Sequence, residues 1–222
     1  MTDSTLHTRL RDAILSLELA PGQPLSERGL EPAFGGSRTP IRAALMRLES
    51  EGLVRRDRRG WSVSPIDLDE LAALGEYREI LETAIVRLAV ERATDADLLA
   101  LAELVSAPST TASPDDSLGT GTSFHGELAV LAANEFLVAA LQGTLTRLYR
   151  TRWLEVRSPA SRDRARTEHQ NIVGALRARD SIGAELAILA HLRGTRERLA
   201  QSLAANRQQL RARGINLEGD SR

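Results

Sequence analysis

Gly36 to Gly60, GSRTPIRAALMRLESEGLVRRDRRG, is the stretch whose reading decides the fold. It predicts a helix, a turn and a tight two-stranded wing. Thr39 suits an N-cap, and Pro40 suits the first helical position, where its missing N–H costs nothing. Ile41, Ala44, Leu45 and Leu48 recur at helical spacing and make one apolar face, while Arg38 and Arg42 lie at the N-terminal end, off that face. Glu51-Gly52 ends the helix, with Gly52 able to take the left-handed conformation. Leu53 and Val54 start a strand, Arg55 to Gly60 reads as a basic turn, and Trp61, Val63 and Pro65 alternate with polar residues in the return strand.

A helix that packs by one face and carries arginines at its N-terminal end suits the major groove of DNA. Arginine can bond a guanine edge in two places, and a helix N-terminus attracts phosphate. The basic turn suits a wing on the backbone or minor groove. Between Arg28 and Gly60 stand eight Arg (28, 38, 42, 47, 55, 56, 58, 59) against four acids (Glu31, Glu49, Glu51, Asp57), in a chain of formal charge -1. The excess is therefore local. A solvated basic face would explain the charge alone, but not the order of helix, turn, helix and wing.

Working outward toward the N-terminus, Leu6, Leu10, Ala13, Ile14 and Leu17 predict a first amphipathic helix, with His7 off its apolar face and read as a surface residue. Ala20-Pro21-Gly22 ends it. Ser26 caps a second helix, Glu27 to about Phe34, in which Gly29 and Pro32 are both unfavourable. Gly35-Gly36 turns into the third helix.

AILSLELAPGQPLSERGL, then GGSRTPIRAALMRLESEGLV, then RRGWSV resemble the winged-helix domain of the GntR family of bacterial transcription factors. The elements PG-x-x-L-x-E, SRTP-x-R-x-AL and L-x-x-EGLV are specific in combination and order. By matching positions, the resemblance implies DNA contacts from Arg28, Ser37, Arg38, Thr39, Arg42 and the wing-tip pair Arg59-Gly60. Pro32 and Gly36 depart from the family pattern, which has a helical residue and a packed Val-like residue there.

Beyond a short linker, Ser64 to Asp69, everything reads as helix. Glu70 to Arg92 carries Leu71, Leu74, Arg78, Leu81, Ile85 and Leu88 at 3-4-3-4 spacing, with Arg78 interrupting the apolar stripe. Thr94 caps a helix running to about Val105. Ala107 to Thr122, rich in Ser, Thr, Pro, Gly and Asp, reads as a loop. Further helices are predicted near 122–133, 134–157, 163–179 and 181–206, followed by a polar tail. YREILETAIVRLA, FHGELAVLAAN, EHQNIVGALRARD and AELAILAHL resemble the all-helical effector domain of the FadR subfamily, the FCD type. The expected fold is thus mainly α: a winged helix-turn-helix with a small β wing over 1–66, an all-helical bundle of about six helices over 67–206 for effector binding and dimerisation, and a tail at 207–222.

Three histidines lie in this helical half. His125 shares a helix face with Gly121, Leu128, Ala129 and Ala132; His169 with Ala165, Ile172, Val173 and Leu176; His191 with Ala184, Ala187, Ile188 and Leu199. A lone inward histidine is usually a satisfied core residue. Three from three helices each need a polar partner, and one shared cation serves all three; Zn²⁺ or Ni²⁺ suits imidazole. The resemblance implies the same metal set, with an Asp four residues before the first histidine. That position here is Gly121, while Asp115 and Asp116 lie elsewhere, so an anionic ligand is missing and water or an effector carboxylate would complete the shell. Arg78, inside an apolar stripe, needs an anion: either Glu82 one turn on or another acid, or a carboxylate effector held bidentately.

Composition narrows the rest. The absence of Cys excludes disulfides and thiolate-bound metal and fits a reducing cytosol. All 29 basic residues are Arg, which reads as codon bias of the source genome. Aromatic content of 3% argues against base-stacking single-strand binding. No apolar run reaches membrane-spanning length and no signal-peptide pattern opens the chain, so a cytoplasmic protein is expected. The expected function is a transcriptional regulator, a repressor released by a small organic acid, acting as a homodimer on a pseudo-palindromic double-stranded operator. The alternatives are a ligand-independent dimeric regulator and a three-His metalloenzyme. The latter lacks an obvious general base, since no H-E-x-x-H pattern occurs.

Overall fold

The computed structural model describes residues 3–58, 60–106, 114–152, 158–212 and 217–219. Two compact units divide the chain: one of residues 1–71 with 206–222, the other of residues 72–205.

The first unit is a winged helix. Helices α1 (Asp3–Leu15), α2 (Glu27–Phe34) and α3 (Arg38–Ser50) pack with a three-stranded antiparallel sheet of order β1-β3-β2, formed by β1 (Pro24–Leu25), β2 (Val54–Asp57) and β3 (Gly60–Val63). Leu6, Leu10 and Ile14 of α1, Leu30 and Phe34 of α2, and Ile41, Leu45 and Leu48 of α3 meet Trp61 and Val63 in one core. Ser26 caps α2 through its hydroxyl, which accepts from the Gly29 N–H at 3.0 Å. After the last residue of α2, Gly35 and Gly36 have φ of 73° and 92°, so the tight entry into α3 occupies the left-handed half of backbone space. That requirement explains Gly36 where a larger residue was expected.

Three local readings change. The N-cap of α3 is Ser37, not Thr39, because the Ile41 N–H already bonds the Ser37 carbonyl. Pro40 still falls among the first turn's partnerless N–H positions, so it does no harm there. Arg55 and Arg56 belong to β2 rather than to a turn: Arg55 pairs with Ser62 and Arg56 with Trp61, which leaves only the connection between Asp57 and Gly60 as the turn. His7 is buried, not solvated. Its Nε2 lies 2.8 Å from Oε1 of Glu51, because the C-terminal end of α3 packs against α1.

A two-stranded parallel pair, β4 (Ile66–Asp67) and β5 (Leu217–Glu218), joins the linker to the C-terminal tail. Glu218 also meets Arg55 at 3.4 Å.

Among the described residues the second unit is built from helices α4 (Leu68–Arg92), α5 (Asp95–Leu104), α6 (Pro114–Leu131), α7 (Glu135–Arg152), α8 (Pro159–Arg177) and α9 (Ser181–Ala212), of which α4 and α9 also reach into the first unit. Ile85 and Ala89, Leu98 and Leu101, Phe124 and Leu128, Leu141, Ile172 and Leu176, and Ala184 and Ile188 form its core. Thr94 and Asp97 close a capping box at α5. The expected loop over 107–122 is helix from Pro114 onward, and α9 runs on to Ala212. Pro114 at the start and Asp115 and Asp116 in the first turn are helix-initiating signals that outweigh the Ser/Thr/Gly composition. Residues 107–113 of that expected loop and 153–157 of the expected seventh helix lie outside the described residues. No helix among the described residues is long and apolar enough to cross a membrane.

Candidate functional site

In the winged helix, packing Ile41, Ala44, Leu45 and Leu48 inward turns the opposite side of α3 to solvent. Arg28, Ser37, Arg38, Thr39 and Arg42 are all exposed, and Gly60 is half-buried at the wing with φ of 119°. Arg59 lies outside the described residues. Two arginines of α3 face acids of α2. Arg42 donates from Nε to Oε1 of Glu27 at 2.6 Å and from Nη2 to Oε2 at 3.0 Å. Arg38 Nε stands 3.6 Å from Oε1 of Glu31. The Arg42 guanidinium holds the Glu27 carboxyl below its ordinary value, chiefly by that hydrogen bond.

In the helical unit, α6, α8 and α9 bring His125, His169 and His191 together, all buried, with ligating nitrogens within 4.8 Å of one another. Nε2 of His191 lies 3.3 Å from Nε2 of His169 and 3.3 Å from Nε2 of His125. On its other side each of two rings meets a carboxylate. His125 Nδ1 donates to Oε2 of Glu82 at 2.6 Å, and His191 Nδ1 donates to Oε2 of Glu168 at 2.7 Å. An ionised carboxylate only accepts, so both Nδ1 atoms carry the proton and, in a neutral ring, both Nε2 atoms present bare lone pairs. Those two Nε2 atoms stand 3.3 Å apart. Ligands of a tetrahedral Zn²⁺, at about 2.0–2.1 Å from the metal, stand about 3.3–3.4 Å apart, so the donor set fits a cation. Phe124 stacks on His169 with ring centroids 4.2 Å apart and closes the apolar side.

The carboxylates are themselves held. Arg78, one turn before Glu82 on α4, bonds Oε1 of Glu82 through Nε, and this pair is almost wholly buried. Its Nη2 is buried with no hydrogen-bond partner. Arg198 holds both oxygens of Glu168 at 3.1 and 3.0 Å and reaches Oγ1 of Thr195. Burial raises the Glu168 pKa, but the hydrogen bonds from His191 and Arg198 outweigh it, and the group sits below its ordinary value.

Comparison with known proteins follows the same division. The FCD-domain profile matches residues 73–194, and the profile of bacterial regulatory proteins of the gntR family matches residues 2–63. The chain belongs to the GntR family, FadR/FCD subfamily. Among its GntR relatives, the Nta operon transcriptional regulator of Aminobacter aminovorans is 31% identical over 80% of this chain and 85% of its own. LutR of Bacillus subtilis is 30% identical over 86% and 98%. The transcriptional repressor RspR of Escherichia coli K12 is 26% identical over 86% of each. In fold, the chain is similar to E. coli McbR/YncC (TM-score 0.74, 22% identity, 90% of this chain and 99% of that one) and to a GntR regulator from Rhodococcus sp. RHA1 (0.73, 22%, 91% and 98%). This GntR chain is a DNA-binding transcriptional regulator, and the family is one of regulators rather than enzymes.

The three histidines singled out in the sequence are brought together, and among the described residues Arg78 is linked to His125 through Glu82. Gly121, one turn before His125 on α6, puts no ligand beside them. Sequence reasoning missed Glu168 and Arg198 and weighed Glu82 only as a partner for Arg78. Glu82 had a signal, since it follows Arg78 by four residues on the buried face of α4. Glu168 had none, because it meets His191 across two helices.

Proposed function

We propose that this GntR regulator is a cytoplasmic homodimeric repressor of a pseudo-palindromic operator, read by Arg28, Ser37, Arg38, Thr39, Arg42 and the wing pair Arg59-Gly60, and released by a small carboxylate effector. The second unit holds a divalent cation, Zn²⁺ or Ni²⁺, on His125, His169 and His191. The single observation that carries the metal reading is the convergence of Nε2 atoms at 3.3 Å with both flanking Nδ1 atoms tied to carboxylates. A cation there would supply a Lewis-acid position for a carboxylate oxygen. The unpartnered, buried Nη2 of Arg78 supports a carboxylate as the second half of that ligand. The relative RspR of Escherichia coli K12 is a transcriptional repressor, which supports the direction of control.

Release requires that the effector bind one arrangement of the dimer better than the other. The test is metal analysis of the untagged protein beside His191→Ala, followed by operator binding with and without simple carboxylic acids. Stoichiometric Zn or Ni lost in the variant, and operator release by an acid, are expected. A metal-free protein that takes up none when it is supplied would sink the metal reading. Operator binding indifferent to every acid would leave a ligand-independent dimeric regulator.

A further inference from the structure

We infer that Glu27 is a positioning residue for DNA recognition: it clamps the Arg42 guanidinium by one edge so that its other edge is presented, already oriented, to a base. The inference rests on the reading of Arg42 as a base contact. A guanidinium is a planar fork with five N–H donors in fixed directions. Glu27 takes the Nε edge with two parallel bonds of 2.6 and 3.0 Å. The edge formed by Nη1 and Nη2 is left, which is the pair of donors that matches O6 and N7 of guanine in the major groove. The two partners differ in exposure: the Glu27 side chain is 17% exposed, whereas that of Arg42 is 63% exposed. The acid is thus the fixed half, set in the first turn of α2, and the arginine is the half that reaches outward.

The neighbouring pair lacks this geometry. Arg38 approaches Glu31 only by a single 3.6 Å contact, with side-chain exposures of 65% and 35%. Of the two recognition arginines, Arg42 alone is held by a bidentate bond among the described residues. Two consequences favour base reading over phosphate binding. Side-chain freedom that an unheld arginine would lose on meeting DNA is already lost in the free protein. A carboxylate in contact with Arg42 also offsets its charge toward phosphates, which carry no sequence information. Glu27 should therefore raise the ratio of specific to non-specific affinity and not the overall affinity.

The experiment uses the full chain and operators selected by it from a random duplex pool. Dissociation constants on the selected operator and on a scrambled duplex, at one fixed salt concentration, are compared for wild type, Glu27→Ala, Glu27→Gln, Arg42→Ala and the Glu27→Ala/Arg42→Ala double variant, with Tm as the check on folding. We expect Glu27→Ala to lower the specificity ratio about tenfold, within the range of one bidentate base contact, while scrambled DNA binds as well or better. In the Arg42→Ala background Glu27→Ala should change nothing further. Reselection with Glu27→Ala should relax one symmetric pair of operator positions. An unchanged ratio in Glu27→Ala with a fallen ratio in Arg42→Ala overturns the clamp and leaves the base contact standing. Tighter operator binding by Glu27→Ala overturns it in favour of an acid that merely competes with DNA. An unchanged ratio in Arg42→Ala overturns both the clamp and the contact on which it rests.

Discussion

Glu82 and His125, from α4 and α6, are fully buried and joined Oε2 to Nδ1 at 2.6 Å. The bond selects the imidazole tautomer and aims Nε2 at His191. Removing such an outer partner from a metal-bound histidine lowers metal affinity about 10–100-fold. Glu82→Gln, which keeps the shape but removes the charge, should lose metal to a competing chelator at correspondingly lower chelator concentration. Equal retention by wild type and variant would show that the tautomer is set elsewhere.

Glu82→Ala tests stability rather than affinity. It leaves Arg78 buried without its ion-pair partner, which costs about 3–5 kcal/mol. The double variant Glu82→Ala/Arg78→Met should recover much of that loss, since a thioether asks for no counter-charge. Urea unfolding of the two variants measures the difference.

Gly121→Asp places a carboxylate one helical turn before His125, on the same face. The expected outcome is tighter metal retention in the absence of added carboxylic acids, and a weaker response of operator binding to them, because the added side chain fills a position an effector would use. Titration against a chelator, with and without acetate, reads the first effect. Retention no different from wild type would place the free coordination position away from Gly121.

Arg38→Ala and Arg42→Ala should each weaken operator binding by about 1–3 kcal/mol, the range for a bidentate base contact. Arg38→Ala is not expected to shift the Tm measurably, because that side chain lies on solvent, whereas Arg42→Ala also removes the bidentate bond to Glu27, so its Tm is measured beside its affinity. Operator affinity equal to wild type in both would remove α3 from the DNA interface.

The α5 cap gives a pH-dependent stability. Hydrogen bonds from the Thr94 side chain and backbone, in that order, hold Asp97 below its ordinary value of 3.8. A carboxyl depressed in the folded state stabilises above its unfolded value and loses that contribution as pH falls through the folded one. The Tm gap between wild type and Asp97→Asn should therefore be present near neutrality and close on acidification below 3.8. A gap independent of pH would mean that the amide caps as well as the carboxylate.

What could be read from the sequence was local in character. Ser26 and Gly35 bracket α2 with chemistry that acts within a turn, and its bounds follow from those residues. The apolar stripe of α3 depends only on spacing, and its four members are buried as expected. Some errors were local too, such as the α3 cap at Ser37 and the start of α6 at Pro114; others came where a distant segment decides. His7 looked solvated because nothing near it in sequence announces Glu51, which the end of α3 delivers. The histidines could be seen to point inward one helix at a time, but their common focus, and the carboxylates behind them, depend on how α4, α6, α8 and α9 pack. Helical periodicity says which way a side chain faces and nothing about what it will meet.

The pairing of β4 with β5 has a consequence for how the protein is made. Ile66 lies beside Leu217, so the unit that carries the recognition helix contains a strand synthesised some way behind the rest of it. A nascent chain halted within α9 has α1, α2, α3 and the wing, yet the linker strand has no neighbour and Leu217 is not there to cover it. Pairing of β4 thus waits on translation of the second unit. A chain cut short inside the second unit would lack β5, the strand that pairs with β4.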